Sequence, residues 1–337
     1  MNPAPPELSI VIVNWNVREL LRRCLDSILG SDGIFVGLDT PGYSTSGRRA
    51  EVIVVDNASA DGSAAMLAQD YPWVRVVANS DNRGFTRANN QGLAISRGRF
   101  VLFLNPDTEL APDALRVMLD YAAAQPQVGV IGPQLRYGDG SLQSSRRRFP
   151  TLFTFFLEST VVQRWWPRNR VLSRYYMLDR PDDAISQVDW VVGACMLVRR
   201  AVLDQIGGFD EGFFMYSEEL DLCRRAVDAG WHVVYLPTAV VTHYEGKSSE
   251  QVVAARHIHF HTSRVRYAQK HHGRLAAAAL RGFLLVTFLF QWAEEAAKWL
   301  AGFALPAQRP KRTMRRERMQ AYGQVLRSGL RPQAVRT

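Results

Sequence analysis

The sequence predicts an α/β fold, a doubly wound and mainly parallel (mixed) sheet with helices on both faces. In the first half of the chain, short apolar runs alternate with segments of helical spacing. The runs are rich in β-branched or aromatic residues with apolar side chains facing both ways, as in strands buried on both faces. An alternating order of strands and helices implies right-handed crossovers within one sheet.

Four apolar runs are predicted strands. They cover residues 7–14 (ELSIVIVN), 51–56 (EVIVVD), 74–79 (VRVVAN) and 99–104 (RFVLFL). Three segments between them have apolar residues at helical spacing, namely residues 17–29, 62–69 and 87–97. Residues 30–50 are rich in Gly, Ser and Thr and predict an exposed excursion, and a second ordered block begins after Asp183.

With 337 residues, 47% of them hydrophobic, the chain can bury a substantial core, which excludes overall disorder. Its 3 cysteines (Cys24, Cys195 and Cys223) are scattered and form no CxxC pair, which favours a reducing, cytoplasmic setting over a disulfide framework or a zinc site. The first apolar run is short and has no basic segment before it, so it indicates a strand and not a signal peptide.

Excess positive charge is confined to the C-terminal end of the chain. Residues 251–337 hold 16 Lys and Arg against 3 Asp and Glu, whereas residues 1–250 hold 25 against 29. This contrast predicts an α/β domain over residues 1–250 and a basic, partly apolar helical tail over residues 251–337. Basic segments of this kind bind anionic membrane surfaces, and RNA binding is the alternative.

The most hydrophobic stretch of the tail is residues 275–305. Its charge-free run from Gly282 to Ala293 is shorter than the ~20 residues of a spanning helix. The polar residues of the stretch fall in one sector of a helical wheel: Thr287, Gln291, Glu294, Glu295 and Lys298. We therefore predict a C-terminal amphipathic helix that lies in the membrane interface, with a single tilted span or docking onto a partner subunit as alternatives.

Each polar motif of the first half follows a predicted strand. The motifs are NWN (14–16), DNASADGS (56–63), NSDNRGF (79–85) and NPDTE (105–109). Ligands of doubly wound sheets bind beyond the carboxyl ends of the strands. The four motifs are therefore predicted to surround one crevice.

These motifs, together with VVGACMLVRRAVLDQIGGFDEGFFMYSEELDLCRRAVDAGW and VVTHYEGKS, make residues 8–250 resemble a known family. The sequence resembles the inverting GT-A fold glycosyltransferases of family 2, most closely their bacterial rhamnosyltransferase-like branch. The resemblance implies a metal-dependent, inverting transfer of one sugar from a nucleotide-diphosphate donor. It further implies rhamnose on a deoxythymidine-diphosphate donor, and a lipid-linked or polysaccharide acceptor in cell-envelope glycan synthesis.

Asp107 is the predicted metal ligand. A leaving diphosphate needs its charge neutralised, and a divalent cation with hard oxygen ligands is the usual solution. The structural alternative is a cap for the helix beginning near Pro112, but Asp107 lies several residues too early. The resembled family often has Asp-x-Asp where this chain has Asn105 and Asp107, and it implies that His243 is also a ligand, with Mn²⁺ or Mg²⁺ as the cofactor.

Four further residues are predicted to bind the nucleotide-sugar. The resemblance implies that Asp56 accepts a hydrogen bond from the nucleotide base, on which Trp15 can stack. Arg83 and Gly84 open a predicted helix whose N-terminus can face phosphate oxygens. An Asx turn at Asp56 and core packing of Trp15 are the structural alternatives.

The segment 217–231 has apolar residues at helical spacing, which places Glu218, Glu219 and Asp221 in a first helical turn. Acidic residues are common there because the helix dipole favours them. The resemblance implies an acidic pair whose second member is the general base. Glu219 is therefore the predicted catalytic base, with Glu218 and Asp221 as alternatives.

Acceptor-side residues are also predicted. Trp190 and Gly193 resemble the acceptor-side wall of the family, although Trp190 also suits a core. The run Arg146–Arg148 is either a solvated surface or a site for the phosphates of a polyprenyl-diphosphate acceptor.

The sequence therefore predicts a glycosyltransferase at the inner face of the cell membrane, without a nucleic-acid partner. A catalytically silent nucleotide-sugar or glycan-binding protein on the same fold is the alternative. A dinucleotide oxidoreductase is disfavoured because no GxGxxG follows the first strand. The oligomeric state is left open.

Overall fold

The computed structural model describes residues 5–36, 47–167, 169–244, 253–304 and 310–332. The chain divides into two compact units. Unit 1 consists of Met1–Phe149, Tyr176–Phe214 and Glu218–Ser248, and unit 2 of Pro150–Tyr175, Met215–Ser217 and Ser249–Thr337. The last segment of unit 2 begins near the predicted boundary at residue 250, but unit 2 also takes in two earlier segments of the chain.

Unit 1 is built on a large mixed sheet. The described strands are β1 (Leu8–Asn14), β2 (Ile34–Val36), β3 (Arg48–Asp56), β4 (Arg75–Ala78), β5 (Phe100–Leu104), β6 (Thr108–Leu110), β7 (Val128–Arg136), β8 (Leu142–Gln143), β9 (Arg146–Arg147), β10 (Ser186–Val188), β11 (Trp190–Val191), β12 (Cys195–Arg199) and β13 (His232–His243). The main order is β10-β13-β7-β12-β5-β1-β3-β2, and β4, β6 and β8 pair with β3, β13 and β7. β9 and β11 form a separate two-stranded sheet.

Helices belong to both units. Those of unit 1 are α1 (Arg18–Leu29), α2 (Ser63–Asp70), α3 (Phe85–Ile95), α4 (Ala114–Ala124), α8 (Arg200–Ile206) and α9 (Glu218–Asp228). Those of unit 2 are α5 (Leu152–Leu157), α6 (Val161–Trp165), α7 (Arg170–Tyr175), α10 (Val253–His272), α11 (Arg274–Ala304) and α12 (Arg312–Ser328).

The four predicted strands are confirmed as β1, β3, β4 and β5. All residues of β1 and β5 are buried, and β1 pairs in parallel with both β3 and β5. Alternate residues of these strands enter two different hydrophobic clusters, for example Ile12 and Val54 in one and Val13 and Val55 in the other. In β1, β3 and β5, apolar residues at successive positions are thus explained by cores on both faces of the sheet. The predicted burial on both faces is wrong for β4, whose residues alternate between half-buried and exposed.

The second half of unit 1 makes the sheet mixed. β12 runs antiparallel to β5 on one side and to β7 on the other, whereas β13 is parallel to β7. The mixed sheet confirms the predicted fold class, and its reversal at β12 places the start of that strand, Cys195, opposite Leu104 at the end of β5.

Residues 30–50 were predicted to form only an exposed excursion, and this is wrong for Ile34–Val36. Those three residues form β2, which pairs in parallel with β3, and Ile34 is buried. The cause is the open edge of β3, whose free backbone groups accept another strand. Residues 37–46 of the excursion lie outside the described residues.

Unit 2 contains the predicted amphipathic helix. α11 is continuous over 31 residues, or about 46 Å at 1.5 Å per residue. In the part of the chain that the structure describes, it is the one helix with the length and apolar composition needed to cross a membrane. Core helices of soluble proteins can have the same length and composition. Whether α11 crosses a membrane must therefore be judged from the side chains packed against it.

Two histidines of α10 are expected to make the stability of unit 2 pH-dependent. His257 and His261 stack 6.4 Å apart, and burial lowers the pKa of each, with the positive charge of Arg264 adding to the effect at His261. A lowered pKa means that the folded state favours the neutral ring, so stability is full above about pH 6.5 and falls as pH drops below that value. Between pH 7.5 and pH 5, the melting temperature of the full chain should fall relative to that of His261→Phe, which lacks one of the two titrating rings. An unchanged pH slope in the variant would contradict the assignment to this pair.

Candidate active site

The loop after β5 brings Asp107 to the edge of the sheet. The Asn105 backbone N–H donates to the Ala194 carbonyl at 2.9 Å, and the Thr108 hydroxyl donates to the Asn105 carbonyl at 2.7 Å. α4 begins only at Ala114, after Asp113. Asp107 therefore does not cap that helix, and its buried carboxylate is held by the loop for another purpose.

His243 lies directly beside Asp107 because β6 and β13 are paired. The register sets His243 opposite Thr108, and the Tyr244 N–H donates to the Asp107 carbonyl at 2.9 Å. The His243 Nε2 lies 3.4 Å from the Asp107 Oδ1, and both side chains are buried. The structure thus brings together the two residues that were predicted to bind a metal from 136 positions apart in the sequence.

Gln143 orients this histidine. Its Oε1 lies 3.0 Å from the His243 Nδ1, so an Nδ1–H tautomer donates to Gln143 and leaves the Nε2 lone pair facing Asp107. No sequence motif pointed to Gln143, because it stands on β8, a two-residue strand that is 100 positions from His243 along the chain.

The residues present fit a divalent cation. The 3.4 Å separation of Nε2 and Oδ1 is long for a hydrogen bond and suits two atoms that share one ion, because ligand atoms about 2.1 Å from a cation and at right angles lie about 3 Å apart. The Asn105 Oδ1 is buried and has no hydrogen-bond partner among the described residues. No cluster of three or more His, Cys, Asp or Glu occurs in the described ranges, so phosphate oxygens would have to complete the coordination.

Asp56 is held rigidly at the end of β3. Its Oδ1 accepts a hydrogen bond from the Asn14 Nδ2 at 2.8 Å, and its Oδ2 accepts one from the Ser59 N–H at 3.0 Å. The second bond caps the loop three residues further along the chain, in the manner of the structural alternative but without the two-residue spacing of an Asx turn. A carboxylate still has lone pairs for further donors. Trp15 comes directly after Asn14, the last residue of the neighbouring strand β1. It is only half-buried, which keeps its ring available to a ligand.

The predicted phosphate-binding role of the α3 N-terminus is weakened by its surroundings. The Gly84 N–H donates to the Asn82 side chain at 3.0 Å, and the Phe85 N–H donates to the Phe214 carbonyl at 2.9 Å. Those two amides are thus already satisfied within the protein. Arg83 is exposed and lies 3.4 Å from Asp81, so its guanidinium remains accessible to a phosphate.

Gly84 instead makes a close approach possible. Its φ is +85°, and a β-carbon at this position would lie 2.7 Å from the Phe214 ring. The Asn57 side chain donates to its carbonyl at 3.2 Å. Gly84 therefore joins the loop after β3 to the segment that precedes α9.

Glu219 is placed at the same edge of the sheet as Asp107. A β-carbon on Gly193 would lie 3.2 Å from the Glu219 Cβ, so the two residues are in contact, and the neighbouring Ala194 accepts the hydrogen bond from Asn105 described above. The predicted base and the predicted metal ligand thus lie at opposite ends of one short chain of contacts. A side chain at Gly193 would require the Glu219 side chain to shift by a few tenths of an ångström.

The acidic pair of α9 is unusual in its burial. Burial raises the pKa of Glu219, and backbone amides at Glu219, Leu220 and Gly193 and the charge of Arg147 oppose that rise. Burial and the negative charge of Glu219 raise the pKa of Glu218 well above its ordinary value. The Oε2 atoms of both residues are buried without a hydrogen-bond partner in the described chain. A carboxylate with a raised pKa takes up a proton more readily than an exposed glutamate does.

Asp221, the other alternative base, is already engaged. Its side chain is fully buried and accepts a hydrogen bond from the Arg225 Nε at 2.8 Å. The Asp221 carboxylate is thus held in a salt bridge, whereas the Glu219 Oε2 has no hydrogen-bond partner in the described chain. The structure therefore favours Glu219 over Asp221.

The three arginines of the charge run have different surroundings. Arg146 is buried and bonds to Asp182 and to two backbone carbonyls, so its role is structural. Arg148 pairs with Asp179 at 3.0 Å. Arg147 stacks over the Tyr176 ring, and its charge acts on Glu219. Arg147 is thus the member of the run that belongs to the site.

Trp190 was predicted to bind the acceptor, but the structure buries its side chain. It is only 8% exposed, and its Nε1 donates to the Arg148 carbonyl at 2.9 Å. With most of its ring covered, packing explains this tryptophan better than sugar stacking. Gly193 contacts Glu219, and its role on the acceptor side stays a prediction.

Arg147→Met is expected to move the acidic limb of the kcat/KM profile to higher pH. Arg147 lowers the pKa of Glu219, so its removal raises that pKa, and the base then ionises only at higher pH. Methionine retains the apolar stem against Tyr176. Arg148→Met removes a neighbouring charge that pairs with Asp179 and should leave the limb in place, and an equal shift in both variants would contradict a specific action of Arg147.

A mixed α/β sheet with a carboxylate–histidine pair and a buried glutamate at one edge has the architecture of the GT-A glycosyltransferases. The family model "Glycosyl transferase family 2" matches residues 9–207, more than half of the chain, and the chain therefore belongs to this family. A second model, "Glycosyl transferase family 21", matches residues 182–320. The predicted family is confirmed.

Two relatives indicate the branch. The chain is 34% identical over 245 residues to N-acetylglucosaminyl-diphospho-decaprenol L-rhamnosyltransferase of Mycobacterium tuberculosis, covering 69% of this chain and 79% of the relative. It is 30% identical over 171 residues to rhamnosyltransferase WbbL of Escherichia coli, covering 48% of this chain and 61% of the relative.

Solved structures agree with the fold. A mannosyltransferase from Pyrobaculum calidifontis, in complex with GDP-Man and Mn²⁺, aligns with a TM-score of 0.51 and 18% identity over 96% of this chain and 88% of its own. GalNAc-T7, with UDP, GalNAc and Mn²⁺, aligns with a TM-score of 0.54 and 13% identity over 80% of this chain and 48% of its own.

Proposed function

We propose that this glycosyltransferase moves one rhamnosyl residue from a deoxythymidine-diphosphate donor to a lipid-linked acceptor, with inversion at the anomeric carbon. The observation that carries the proposal is the contact path from Asp107 through Asn105, Ala194 and Gly193 to Glu219. It supports a diphosphate site and a base at one crevice. The rhamnose and the prenyl-diphosphate acceptor are suggested by the relative from Mycobacterium tuberculosis.

Glu219 is the proposed general base. The acceptor hydroxyl gives its proton to the Glu219 carboxylate as the oxygen attacks the anomeric carbon from the face opposite the nucleotide. One displacement inverts the configuration, so no nucleophile of the protein is needed. Gly193 leaves room for the glutamate and contributes a backbone N–H that stabilises its ionised form.

Asp107 and His243 are the proposed ligands of a divalent cation, Mn²⁺ or Mg²⁺. Such an ion, when bound, neutralises the charge of the departing diphosphate. Gln143 orients the His243 ring. The side-chain oxygen of Asn105, Oδ1, is buried and has no hydrogen-bond partner among the described residues. Asp56 and Trp15 hold the nucleotide base at the neighbouring strand ends.

The acceptor side is proposed to lie beside Arg147. This guanidinium acts electrostatically on Glu219, and it suits the phosphates of a lipid-linked acceptor. A lipid-linked acceptor requires the enzyme to work at a membrane surface, and the proposal places it at the cytoplasmic face, where the sequence predicts the enzyme to act. The basic C-terminal region is the proposed attachment to an anionic membrane surface.

A transfer assay tests the function. The purified full-length chain is incubated with Mn²⁺, deoxythymidine-diphospho-rhamnose and a short-chain prenyl-diphosphate N-acetylglucosamine, and the product is analysed by mass spectrometry and NMR. We expect addition of one rhamnose with inverted anomeric configuration, and no product with a uridine-diphosphate hexose. Binding of the donor without transfer would instead indicate a silent nucleotide-sugar-binding protein, and retained configuration would contradict the mechanism.

A further inference from the structure

We propose that unit 2 binds an anionic lipid bilayer through one face and that α11 lies along the bilayer interface without spanning it. This face, the α11 surface, consists of the exposed apolar residues of α11 together with Trp165 and Trp166. The inference rests on the proposed function in one respect, because a lipid-linked acceptor places the enzyme at a membrane.

An uncharged stripe of exposed residues runs along α11. Its members recur every three or four positions and so lie on one side of the helix. They include Gly282, Val286, Leu289, Ala293, Ala297 and Leu300. Val286, Leu289 and Leu300 are each more than half exposed. Single exposed leucines are ordinary, but a continuous stripe of about 27 Å marks an interaction surface.

The polar sector of α11 faces the interior of unit 2. Thr287 and Glu295 are 5% and 8% exposed. The Glu295 Oε1 lies 3.2 Å from Arg318 of α12, and the Glu294 carboxylate accepts a hydrogen bond from Arg164 of α6 at 2.8 Å. Protein side chains therefore cover Thr287, Glu294 and Glu295 of the polar sector, whereas Lys298 at its edge stays exposed and pairs with Glu294. The rest of the open side of the helix is apolar.

α12 decides between an interfacial and a spanning orientation. Near one end of the pair, Arg281 of α11 donates to the Gly329 carbonyl; near the other end, Arg315 of α12 donates to the Lys298 carbonyl. The two helices thus lie side by side over some 17 residues of α11. A spanning α11 would draw the charged residues of α12 into the hydrocarbon, where an ionised side chain is strongly unfavourable. A flat α11 leaves them in water.

The chemistry at the edge of the stripe identifies the partner as an anionic bilayer. Trp165 packs edge-on against Phe290 of α11 at 5.8 Å, and Trp165 and Trp166 are 64% and 58% exposed. Tryptophan prefers the headgroup region of bilayers. Exposed basic side chains stand next to this surface at Arg164 and Lys298, and residues 251–337 carry 16 basic against 3 acidic residues. This excess attracts anionic lipids and opposes pairing of two identical copies.

Vesicle flotation tests the surface. The full-length chain should float with vesicles of phosphatidylcholine and phosphatidylglycerol at 70:30, and Leu289→Glu/Leu300→Glu should reduce the bound fraction at least tenfold. Trp165→Ser/Trp166→Ser should also reduce it, because both rings are exposed. The matched control is Leu178→Glu, which places the same charge on a residue that is 69% exposed in unit 1. Circular dichroism checks that all variants fold.

Two results would contradict membrane binding by the α11 surface. One is binding of the double glutamate variant within twofold of the wild type. The other is a dimer in solution that the same variant dissociates, which would assign the stripe to contacts between copies of the chain.

Depth measurements test the orientation. Gly282→Cys, Ala293→Cys and Leu300→Cys are spin-labelled one at a time, and the label is selective because Cys24, Cys195 and Cys223 are buried. A helix in the interface gives similar depths at the three positions. A spanning helix gives depths that differ by up to about 27 Å, and that gradient would overturn the proposed orientation.

The outcome can be separated from that of the proposed reaction, because flotation requires neither donor nor acceptor. Leu289→Glu/Leu300→Glu should transfer to a water-soluble short-chain acceptor at the wild-type rate and lose activity only on acceptor embedded in vesicles. Equal loss on both acceptors would overturn a purely membrane-binding role for the stripe.

Discussion

Glu219→Gln is expected to reduce kcat by about 10²–10⁴-fold, the usual contribution of a general base. Glutamine has nearly the same shape and leaves the contact with Gly193 in place, but it cannot accept the proton of the acceptor hydroxyl. Donor affinity should stay close to that of the wild type, since Glu219 is proposed to act on the acceptor. Steady-state kinetics with the short-chain acceptor and calorimetric titration of the donor measure the two effects separately.

Glu218→Gln is the matched control, because it changes the adjacent carboxyl in the same helical turn. We expect transfer within a few-fold of the wild type. Its raised pKa means that the folded state holds the proton more tightly than the unfolded chain, so ionisation of Glu218 destabilises the fold as pH rises above about 4.3. The variant should therefore melt at a higher temperature than the wild type at pH 8, with a smaller difference at pH 5. If Glu218→Gln were the inactive variant, the assignment of the base would be reversed.

Asp107→Asn is expected to reduce kcat/KM by at least about 100-fold, comparable to the loss of one group that stabilises transition-state charge. The amide keeps the volume of the buried side chain but removes the negative charge that would hold a cation against diphosphate. Two readouts check this result: transfer activity, and the thermal stabilisation that Mn²⁺ adds in the presence of deoxythymidine diphosphate. Both should be lost together, because ligand binding stabilises only the state that binds it.

Glu109→Gln is the control for this variant, because Glu109 lies two residues further along the same loop and strand and faces Arg23 at 3.8 Å. It should retain both the activity and the Mn²⁺ effect. A near-normal rate for Asp107→Asn would contradict a role of this carboxylate in diphosphate departure. It would also contradict the proposal that Asp107 and His243 together bind a cation.

Much of the donor side of the crevice follows from local patterns. The runs that became β1, β3, β4 and β5 are short and apolar throughout, and parallel strands place their carboxyl ends at one edge. Asn14, Asp56 and Asp107 therefore had to come close together once those strands paired in register. In the same way, the helical spacing of residues 217–231 placed the acidic pair in the first turn of α9.

Other residues of the site carry no such local signal. Gln143 stands on a two-residue strand, and it belongs to the site only because its side chain lies 3.0 Å from the His243 Nδ1. The three arginines of residues 146–148 are equivalent by composition, and their neighbours alone separate the buried Arg146 from Arg147 beside Glu219. Trp190 was predicted to bind the acceptor, but in β11 its ring is buried and its Nε1 donates a hydrogen bond to the Arg148 carbonyl.

The amino-acid sequence by itself determined the fold class and the family, and it singled out the acidic residues proposed for the reaction, because periodicity and motif order depend on neighbours along the chain. Tertiary structure alone decided that Asp107 faces His243, that Glu219 rests on Gly193 and that the polar side of α11 is covered by Arg164 and Arg318. These facts depend on strand register and helix packing between distant segments. Such contacts are set by the burial of whole surfaces, which no local pattern encodes.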